Sequence, residues 1–224
     1  MNGFKETPWD QRVYGIPTFE ITDFCETVLE KTDYIEGHFT IKVDPLDSKR
    51  LLHKYGFYYC DTLITPVCHK SQFKPIFHDE VEIATGLGVE EAARFCTQTF
   101  LYDRFHRDFH LDPKKGDLRY VNWLKDIAQN GGEILGLWYQ KRLAGFFAYQ
   151  ESHILLHALG DQMRGKGLAK FLWSKACARL FDEGWLEISS SVSAANLAIV
   201  NLYRSLGFSF RNPVDVYHKY RAKE

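Results

Sequence analysis

The sequence has few cysteines, no long apolar run and almost no net charge. Its five cysteines are odd in number and contain no Cys-x-x-Cys pair, which disfavours both a disulfide framework and a zinc site. No run reaches the roughly 18 apolar residues that a membrane helix requires, and residues 1–12 have no apolar core of signal-peptide length. We therefore expect a soluble, cytoplasmic protein without a membrane partner.

The 28 basic residues are balanced by 29 acidic ones, so nucleic acid is not an expected partner. The chain has 224 residues and an apolar fraction of 45%, which is ample for a packed core and allows one or two domains. The composition leaves the oligomeric state open, and a homodimer is compatible with it.

A glycine-containing loop follows an apolar run at residues 154–159 and precedes a helical pattern from about residue 168. Gly165 and Gly167 let the backbone turn tightly and bring several free N–H groups to one point. The amino terminus of the next helix adds partial positive charge there, so a diphosphate is the natural ligand. The loop by itself also fits a helix entry that binds nothing.

Two common phosphate loops fail on residue type. A Walker loop needs serine or threonine after Lys166, where Gly167 stands, and a dinucleotide fingerprint needs a third glycine at Lys170. The pattern Gln/Arg-x-x-Gly-x-Gly/Ala does fit, at Gln162, Gly165 and Gly167. It resembles the acyl-CoA pyrophosphate loop of the GCN5-related N-acetyltransferases (GNAT).

A second segment, from Asn196 to Phe208, carries the same resemblance. Asn196 and Tyr203 are seven residues apart, so within a helix they lie on one face, and Gly207 is placed to end that helix. The resemblance implies that Asn196 hydrogen-bonds the pantetheine arm and that Tyr203 protonates the departing CoA thiolate. Packing in the core is the alternative interpretation of Tyr203.

The resemblance implies an α/β (α+β) GNAT fold, in which helices flank a mixed, splayed central sheet, with acetyl-CoA as cosubstrate and no metal. Main-chain N–H groups near the end of the central strand would polarise the thioester carbonyl. The residues expected to contact acetyl-CoA are Ala158, Leu159, Gln162, Arg164, Gly165, Lys166, Gly167, Leu168, Ala169 and Asn196.

Two units are predicted, a truncated GNAT-like domain at residues 1–75 and a catalytic domain at 76–224. The hypothesis rests on two helix ends, at Gly56-Phe57 and Gly207-Phe208, each followed by an aromatic strand. Chance similarity of two helix ends is the alternative. Residues 9–21 are predicted to be a loop leading into a short strand.

The segment from Phe100 to Asp112 is too polar for core and too aromatic for an ordinary linker. With Arg119, it resembles the family members that acetylate nucleotide-linked amino sugars of the TDP-4-amino-4,6-dideoxyhexose type. We expect Arg104, His106, Arg107 and Arg119 to bind such an acceptor. His106 and His110 stand four apart, but no third ligand accompanies them, so no metal is expected.

The acceptor amine must be neutral when it attacks the thioester. His153, at the start of the central strand, is the leading candidate for the base, with Glu151 and His157 as alternatives. Transfer to a peptide or another small amine is the second functional interpretation, and a CoA-binding sensor without catalysis is the third.

Overall fold

The computed structural model describes residues 3–222. Its α-helices are α1 Pro8–Tyr14, α2 Glu26–Lys31, α3 Arg50–Lys54, α4 Val89–Ala93, α5 Pro113–Gln129, α6 Ala169–Asp182 and α7 Leu197–Ser205. Its strands are β1 Phe4–Glu6, β2 Thr18–Ile21, β3 Gly37–Val43, β4 Tyr58–His69, β5 Val81–Ala84, β6 Glu133–Tyr139, β7 Arg142–Gln150, β8 His153–Leu159, β9 Glu187–Ser190, β10 Val192–Ser193 and β11 Ser209–Arg221. None of these helices is both long enough and apolar enough to cross a bilayer.

All of these strands belong to one mixed sheet. Its order is β1-β2-β3-β11-β4-β9-β8-β7-β6-β5, and β10 pairs with β4 beside that path. The predicted mixed sheet with flanking helices is therefore confirmed. The predicted hairpin is also present as β6 and β7, whose turn residues Gln140 and Lys141 have φ of 49° and 59°. Positive φ at both central residues is typical of the type I′ turn, which matches the twist of the strands.

One topological unit occurs twice in the chain. A strand and the next strand pair in parallel across a helix, and a second helix leads to a long third strand. The first copy is β2-α2-β3-α3-β4 and the second is β8-α6-β9-α7-β11. The third strand of each copy pairs antiparallel with the middle strand of the other copy, β4 with β9 and β11 with β3.

This exchange joins the two halves of the chain. The front residues have an apolar core of their own, around Leu29, Phe39 and Leu52, and Tyr217 of β11 completes it. A separate domain at residues 1–75 is not confirmed, because the front strands and β11 are hydrogen-bonded within the same sheet.

The central strands β8 and β9 separate after a short parallel contact. They pair only at His153 with Ser189 and at Ile154 with Ser190. On its other side β8 stays paired with β7 as far as Leu159. The edge of β8 beyond Ile154 therefore faces an opening in the sheet, and its free main-chain groups can bond a ligand.

Candidate functional site

A cavity of about 510 Å³ occupies the opening between β8 and β9. It is bounded by the loop at 163–168, the starts of α6 and α7, and residues 98–103, which lie between α4 and α5. A site of this kind, at strand ends with a glycine loop on one side, is where α/β proteins place phosphate-bearing ligands.

The glycine loop has the predicted conformation. Gly165 and Gly167 have φ of 73° and 72°, and a Cβ at either position would meet nothing within 4 Å. The glycines are thus required by the backbone, not by lack of space. Within residues 3–222, no hydrogen bond engages the main-chain N–H groups of 165–168, and α6 has no side-chain cap. These open amides suit an anion at the helix amino terminus.

The structure brings most of the predicted cofactor residues to this cavity. Those that line it are Ala158, Leu159, Arg164, Gly165, Gly167, Leu168, Ala169 and Asn196. Gln162 and Lys166 are exposed and lie outside its lining.

Arg164 braces the loop against the end of the central strand. Its Nε donates to the carbonyl of Leu159 at 2.9 Å, and its guanidinium pairs with Asp161 at 2.9 Å and bonds the Thr99 hydroxyl. Arg164 therefore shapes the loop as well as contributing positive charge.

The sequence predicts that Asn196 lies within helix α7. In the structure it lies just before the helix and caps its amino terminus. Its Oδ1 accepts from the main-chain N–H of Ile199 at 3.3 Å. Capping uses the oxygen of the amide and leaves the Nδ2 group as a donor toward the cavity.

Tyr203 and the half-buried His157 form a hydrogen-bonded pair at the cavity wall. The Tyr203 hydroxyl lies 2.9 Å from His157 Nε2, and the tyrosine is 0% exposed. Burial raises the pKa of Tyr203 and lowers the pKa of His157 to about 4, so both are neutral near pH 7. His157, Trp173 and Ser190 line the cavity, whereas Tyr203 lies behind them.

His153 occupies a different place from the other candidate residues. It is exposed at the start of β8, four residues before His157 and so roughly 13 Å away along the strand. It does not line the cavity, whereas His157, weighed as an alternative, does.

The predicted acceptor residues are mostly engaged in pairs of their own. Arg119 pairs with Asp10 at 2.6 Å, and Arg107 pairs with Asp61 at 3.0 Å. Arg104 stacks over the ring of Phe105 at 4.5 Å and has a buried Nε without a hydrogen-bond partner in residues 3–222. None of the three lines the cavity.

His106 is also held away from the cavity. Its Nδ1 bonds the carboxylate of Asp103, and its Nε2 lies 3.4 Å from Asp117. Burial opposes protonation, but the two carboxylates outweigh it and raise the pKa of His106. The ring packs on Gly116, where a Cβ would approach it to 2.7 Å, so the glycine allows α5 to lie against this segment.

One wall of the cavity is aromatic. Phe100, Tyr102, Tyr120 and Trp123 line it, and the rings of Phe100 and Tyr120 stack at 4.2 Å. Asp103 supplies a carboxylate to this wall, and the hydroxyl-bearing strand end at 190–193 lies opposite the glycine loop's helix.

Sequence reasoning missed one buried polar cluster. Asp108 accepts hydrogen bonds from His38 and His218, and these three side chains could geometrically hold a metal ion. The metal pair considered from the sequence, His106 and His110, is not part of that group. His38 and His218 lie 180 positions apart in the sequence, so no local spacing could have revealed them.

The lowered pKa values of His157 and His218 should make the stability of the fold depend on pH. The pKa of His157 is lowered by burial to about 4 and that of His218 to about 3, against roughly 6.5 in an unfolded chain. Between these values the unfolded chain binds protons that the folded chain does not, so stability rises with pH. The free energy of unfolding should fall on acidification from pH 6.5 to 4, by up to about 1.4 kcal/mol per pH unit for each histidine.

Urea unfolding at half-unit pH steps measures this slope. His157→Gln should remove the part that His157 contributes, and His53→Gln, on the surface of α3, should leave the slope unchanged. A free energy of unfolding that is constant from pH 6.5 to 4 would contradict the prediction.

Comparisons with known proteins agree with this geometry. Residues 89–208 match the family model described as the acetyltransferase (GNAT) family. A search of curated proteins gives no match. Among solved structures, a GCN5-related N-acetyltransferase from Sphaerobacter thermophilus is similar over 99% of this chain and 78% of its own, with 13% identity and a TM-score of 0.65.

Two further structures are similar in fold. A tandem GNAT protein from the clavulanic acid biosynthesis pathway covers 94% of this chain and 77% of its own, at 10% identity and a TM-score of 0.59. A GNAT-family acetyltransferase, described as putative, from Novosphingobium aromaticivorans DSM 12444 covers 94% and 86%, at 17% identity and a TM-score of 0.54. With a family match over more than half of its length, the chain belongs to the GNAT family and is an acetyl-CoA-dependent N-acetyltransferase.

Proposed function

We propose that the acceptor is the amino group of a nucleotide-linked amino sugar of the TDP-4-amino-4,6-dideoxyhexose type. The observation that carries this proposal is the aromatic wall of the cavity. Tyr102 and Trp123 line it and offer stacking faces, and base stacking on such rings contributes roughly 1–3 kcal/mol. The hydroxyl of Ser191, which lines the cavity, is placed to bond a polar group of a sugar.

Among the arginines, Arg104 is our candidate for the acceptor phosphate. Arg107 and Arg119 already pair with carboxylates, whereas Arg104 has no carboxylate within ion-pair distance in residues 3–222. It follows Asp103, a lining residue, directly in the chain, and its own side chain lies outside the lining. The sequence resembles the bacterial enzyme that acetylates TDP-4-amino-4,6-dideoxygalactose, in line with this choice.

The donor end of the cavity fits acetyl-CoA. The open amides at 165–168 and the uncapped start of α6 would hold its diphosphate. On the edge of β8 that faces away from β7, the main-chain N–H of Leu159 would receive the thioester carbonyl and stabilise the negative charge that develops on its oxygen. The Nδ2 of Asn196 remains available to bond the pantetheine arm.

Transfer proceeds by direct attack. The neutral amine forms the new C–N bond, the C–S bond breaks, and the nitrogen loses one proton while the sulfur gains one. Tyr203 is our proposed acid, because burial keeps its phenol protonated and its hydroxyl bonds His157 Nε2. The phenol lies behind the cavity lining, so its proton would reach the sulfur through His157, which takes up a proton at Nε2 and releases one from Nδ1 to the sulfur.

We place His157, instead of His153, beside the reacting atoms. With a pKa lowered to about 4, His157 is a weak base. The acceptor amine is therefore expected to enter already neutral, and the rate should increase with pH through the pKa of the amine itself.

The proposal is tested by measuring release of the CoA thiol with a panel of amines. TDP-4-amino-4,6-dideoxygalactose should react with a kcat/KM at least roughly 100-fold above that of the free amino sugar, because the nucleotide supplies remote binding energy. TDP alone should inhibit competitively against the sugar. Faster turnover of a lysine-containing peptide than of the nucleotide sugar would overturn the assignment.

A small cationic amine is the second candidate acceptor. One observation favours it: the charged side chain in the aromatic wall is the carboxylate of Asp103, and Arg104, Arg107 and Arg119 lie outside the lining. A short diamine in the panel tests it. If acetyl-CoA binds but no acceptor in the panel causes release of the CoA thiol, the protein would instead be a sensor.

A further inference from the structure

The segment between α4 and α5 has almost no regular structure, yet it forms the acceptor wall. Residues 98–103 line the cavity, and residues 104–112 connect them to α5. A segment without a main-chain hydrogen-bond ladder keeps one position only where side chains hold it.

Asp108 makes the most complete set of contacts in this segment. The N–H groups of His38 Nε2 and His218 Nδ1 donate to its Oδ2 at 2.8 and 2.7 Å. The Tyr58 hydroxyl and the main-chain N–H of His110 each donate to its Oδ1 at 2.9 Å. Four donors fill the lone pairs of the carboxylate.

The cluster is buried around an ionised carboxylate. Asp108 is 1% exposed, His218 is 0% and His38 is 3%. Burial opposes ionisation, but the hydrogen bonds from His218 and His38 outweigh it and hold the pKa of Asp108 well below its usual range. A buried carboxylate of this kind is stable only while its donors stay in place, so it fixes them and itself.

The donors come from both halves of the chain. His38 lies on β3 and Tyr58 on β4, whereas His218 lies on β11, the strand that the second half inserts between them. One residue earlier, Arg107 pairs with Asp61, and the Ser193 hydroxyl donates to the same Asp61 oxygen at 2.7 Å. Ser193 lines the cavity. The sheet is thus connected to the acceptor end through residues 107 and 108.

We propose that Asp108 is a positioning residue for the acceptor: with its four donors it pins the segment 98–112 to the sheet and so fixes the aromatic wall. The assignment of a kinetic effect rests on the proposed acetyl transfer to an amine. The anchoring itself does not depend on it.

Hydrogen bonding explains the cluster better than a metal does. Ligands that share a zinc ion at about 2.0–2.1 Å in tetrahedral geometry stand roughly 3.3 Å apart. The nitrogen-to-oxygen separations here are 2.7 and 2.8 Å, which are hydrogen-bond distances. His218 Nε2 is buried without a partner, which a neutral ring with its proton on Nδ1 tolerates as an unused acceptor.

Hydrogen–deuterium exchange on Asp108→Asn tests the anchoring without any acceptor. An asparagine places an amide N–H₂ where a donor now points, so the segment should loosen. Peptides covering 98–112 should exchange on the order of tenfold faster, with no change in the loop at 160–168. Tyr58→Phe removes one donor only and should give a smaller effect of the same kind, which keeps the test valid if Asp108→Asn does not fold.

Steady-state kinetics with the best amine of the panel supply the second readout. The acceptor KM should rise on the order of tenfold in Asp108→Asn, while the KM for acetyl-CoA stays within about twofold. Asp182→Asn, an exposed carboxylate at the end of α6, is the matched control and should change neither. Equal changes in both KM values, or unchanged exchange at 98–112, would overturn the proposal.

Added zinc and EDTA complete the experiment. Neither should change the unfolding temperature of the wild-type protein, because the cluster is held by hydrogen bonds to Asp108 and not by a metal ion. A rise with zinc that disappears in Asp108→Asn would overturn the proposal in favour of a metal site. If no amine in the panel reacts, the proposed function fails, but the exchange result still decides the anchoring.

Discussion

Replacing Tyr203 by phenylalanine is expected to lower the turnover number by roughly 10 to 1000-fold, the range for loss of a general acid. The affinity for acetyl-CoA should hardly change, because the phenol lies behind the cavity lining and contributes little ground-state contact. Stopped-flow or steady-state release of the CoA thiol gives the rate, and titration calorimetry gives the affinity.

This test decides between two interpretations of one residue. Tyr203 is fully buried and packs on Phe208 at 4.7 Å, as a core tyrosine would. Its hydroxyl is nevertheless bonded to a histidine that lines the cavity. Tyr34→Phe is the matched control, since Tyr34 is 82% exposed and remote in the fold. An unchanged turnover number in Tyr203→Phe would leave the residue a packing role alone.

Replacing Gly167 by valine is expected to weaken acetyl-CoA binding by roughly 5 to 150-fold. A β-branched residue at a φ of 72° is strained by about 1–3 kcal/mol. The loop is exposed, so in the free variant residue 167 can move to a relaxed φ. Binding of acetyl-CoA forces it back to the strained φ, because the main-chain amides must converge on the diphosphate. The strain energy is therefore subtracted from the binding free energy, and each 1.4 kcal/mol raises Kd tenfold.

Gly184→Val is the control for this effect. Gly184 has φ of 101° and open space around its Cβ position, but it ends α6 at the far side from the cavity. Its substitution should lower the unfolding temperature and leave the Kd for acetyl-CoA unchanged. Equal loss of affinity in both variants would mean that strain acts through overall stability, not through the loop.

Local patterns were sufficient to predict the catalytic half. An apolar run, two glycines and an amphipathic segment predict β8, the loop and α6, because each depends on neighbours within a few residues. The end of α7 at Gly207, which has φ of 94°, follows for the same reason. The loop assigned to residues 9–21 was partly wrong. Helix α1 begins at Pro8 and ends at Tyr14, with Gly15 as its left-handed C-cap. It has only seven residues, which is too few for a helical repeat of apolar residues to be recognised in the sequence.

The acceptor residues could not be placed from the sequence. The segment around Arg104 signals recognition by its composition, but composition does not say which side chains are free. In the structure Arg107 and Arg119 are paired with Asp61 and Asp10, residues 46 and 109 positions away. Arg119 meets Asp10 because α5 packs against α1, and Arg107 meets Asp61 of β4, so both pairs depend on tertiary packing that no local sequence pattern predicts.

The sequence by itself indicated an acetyl-CoA site: a glycine loop before a helix, then an asparagine at the start of the next helix and a tyrosine within it. The conformations of such a loop and of a helix start depend on neighbouring residues, so short motifs in the sequence are sufficient to predict them. Only the tertiary structure decided that one sheet contains both halves and that Asp108 bonds His38 and His218. It also placed His157, and not His153, against Tyr203. The Asp108 contacts depend on β11 of the second half lying between β3 and β4 of the first, and the His157–Tyr203 contact depends on α7 packing against β8, so both need the assembled sheet and its helices.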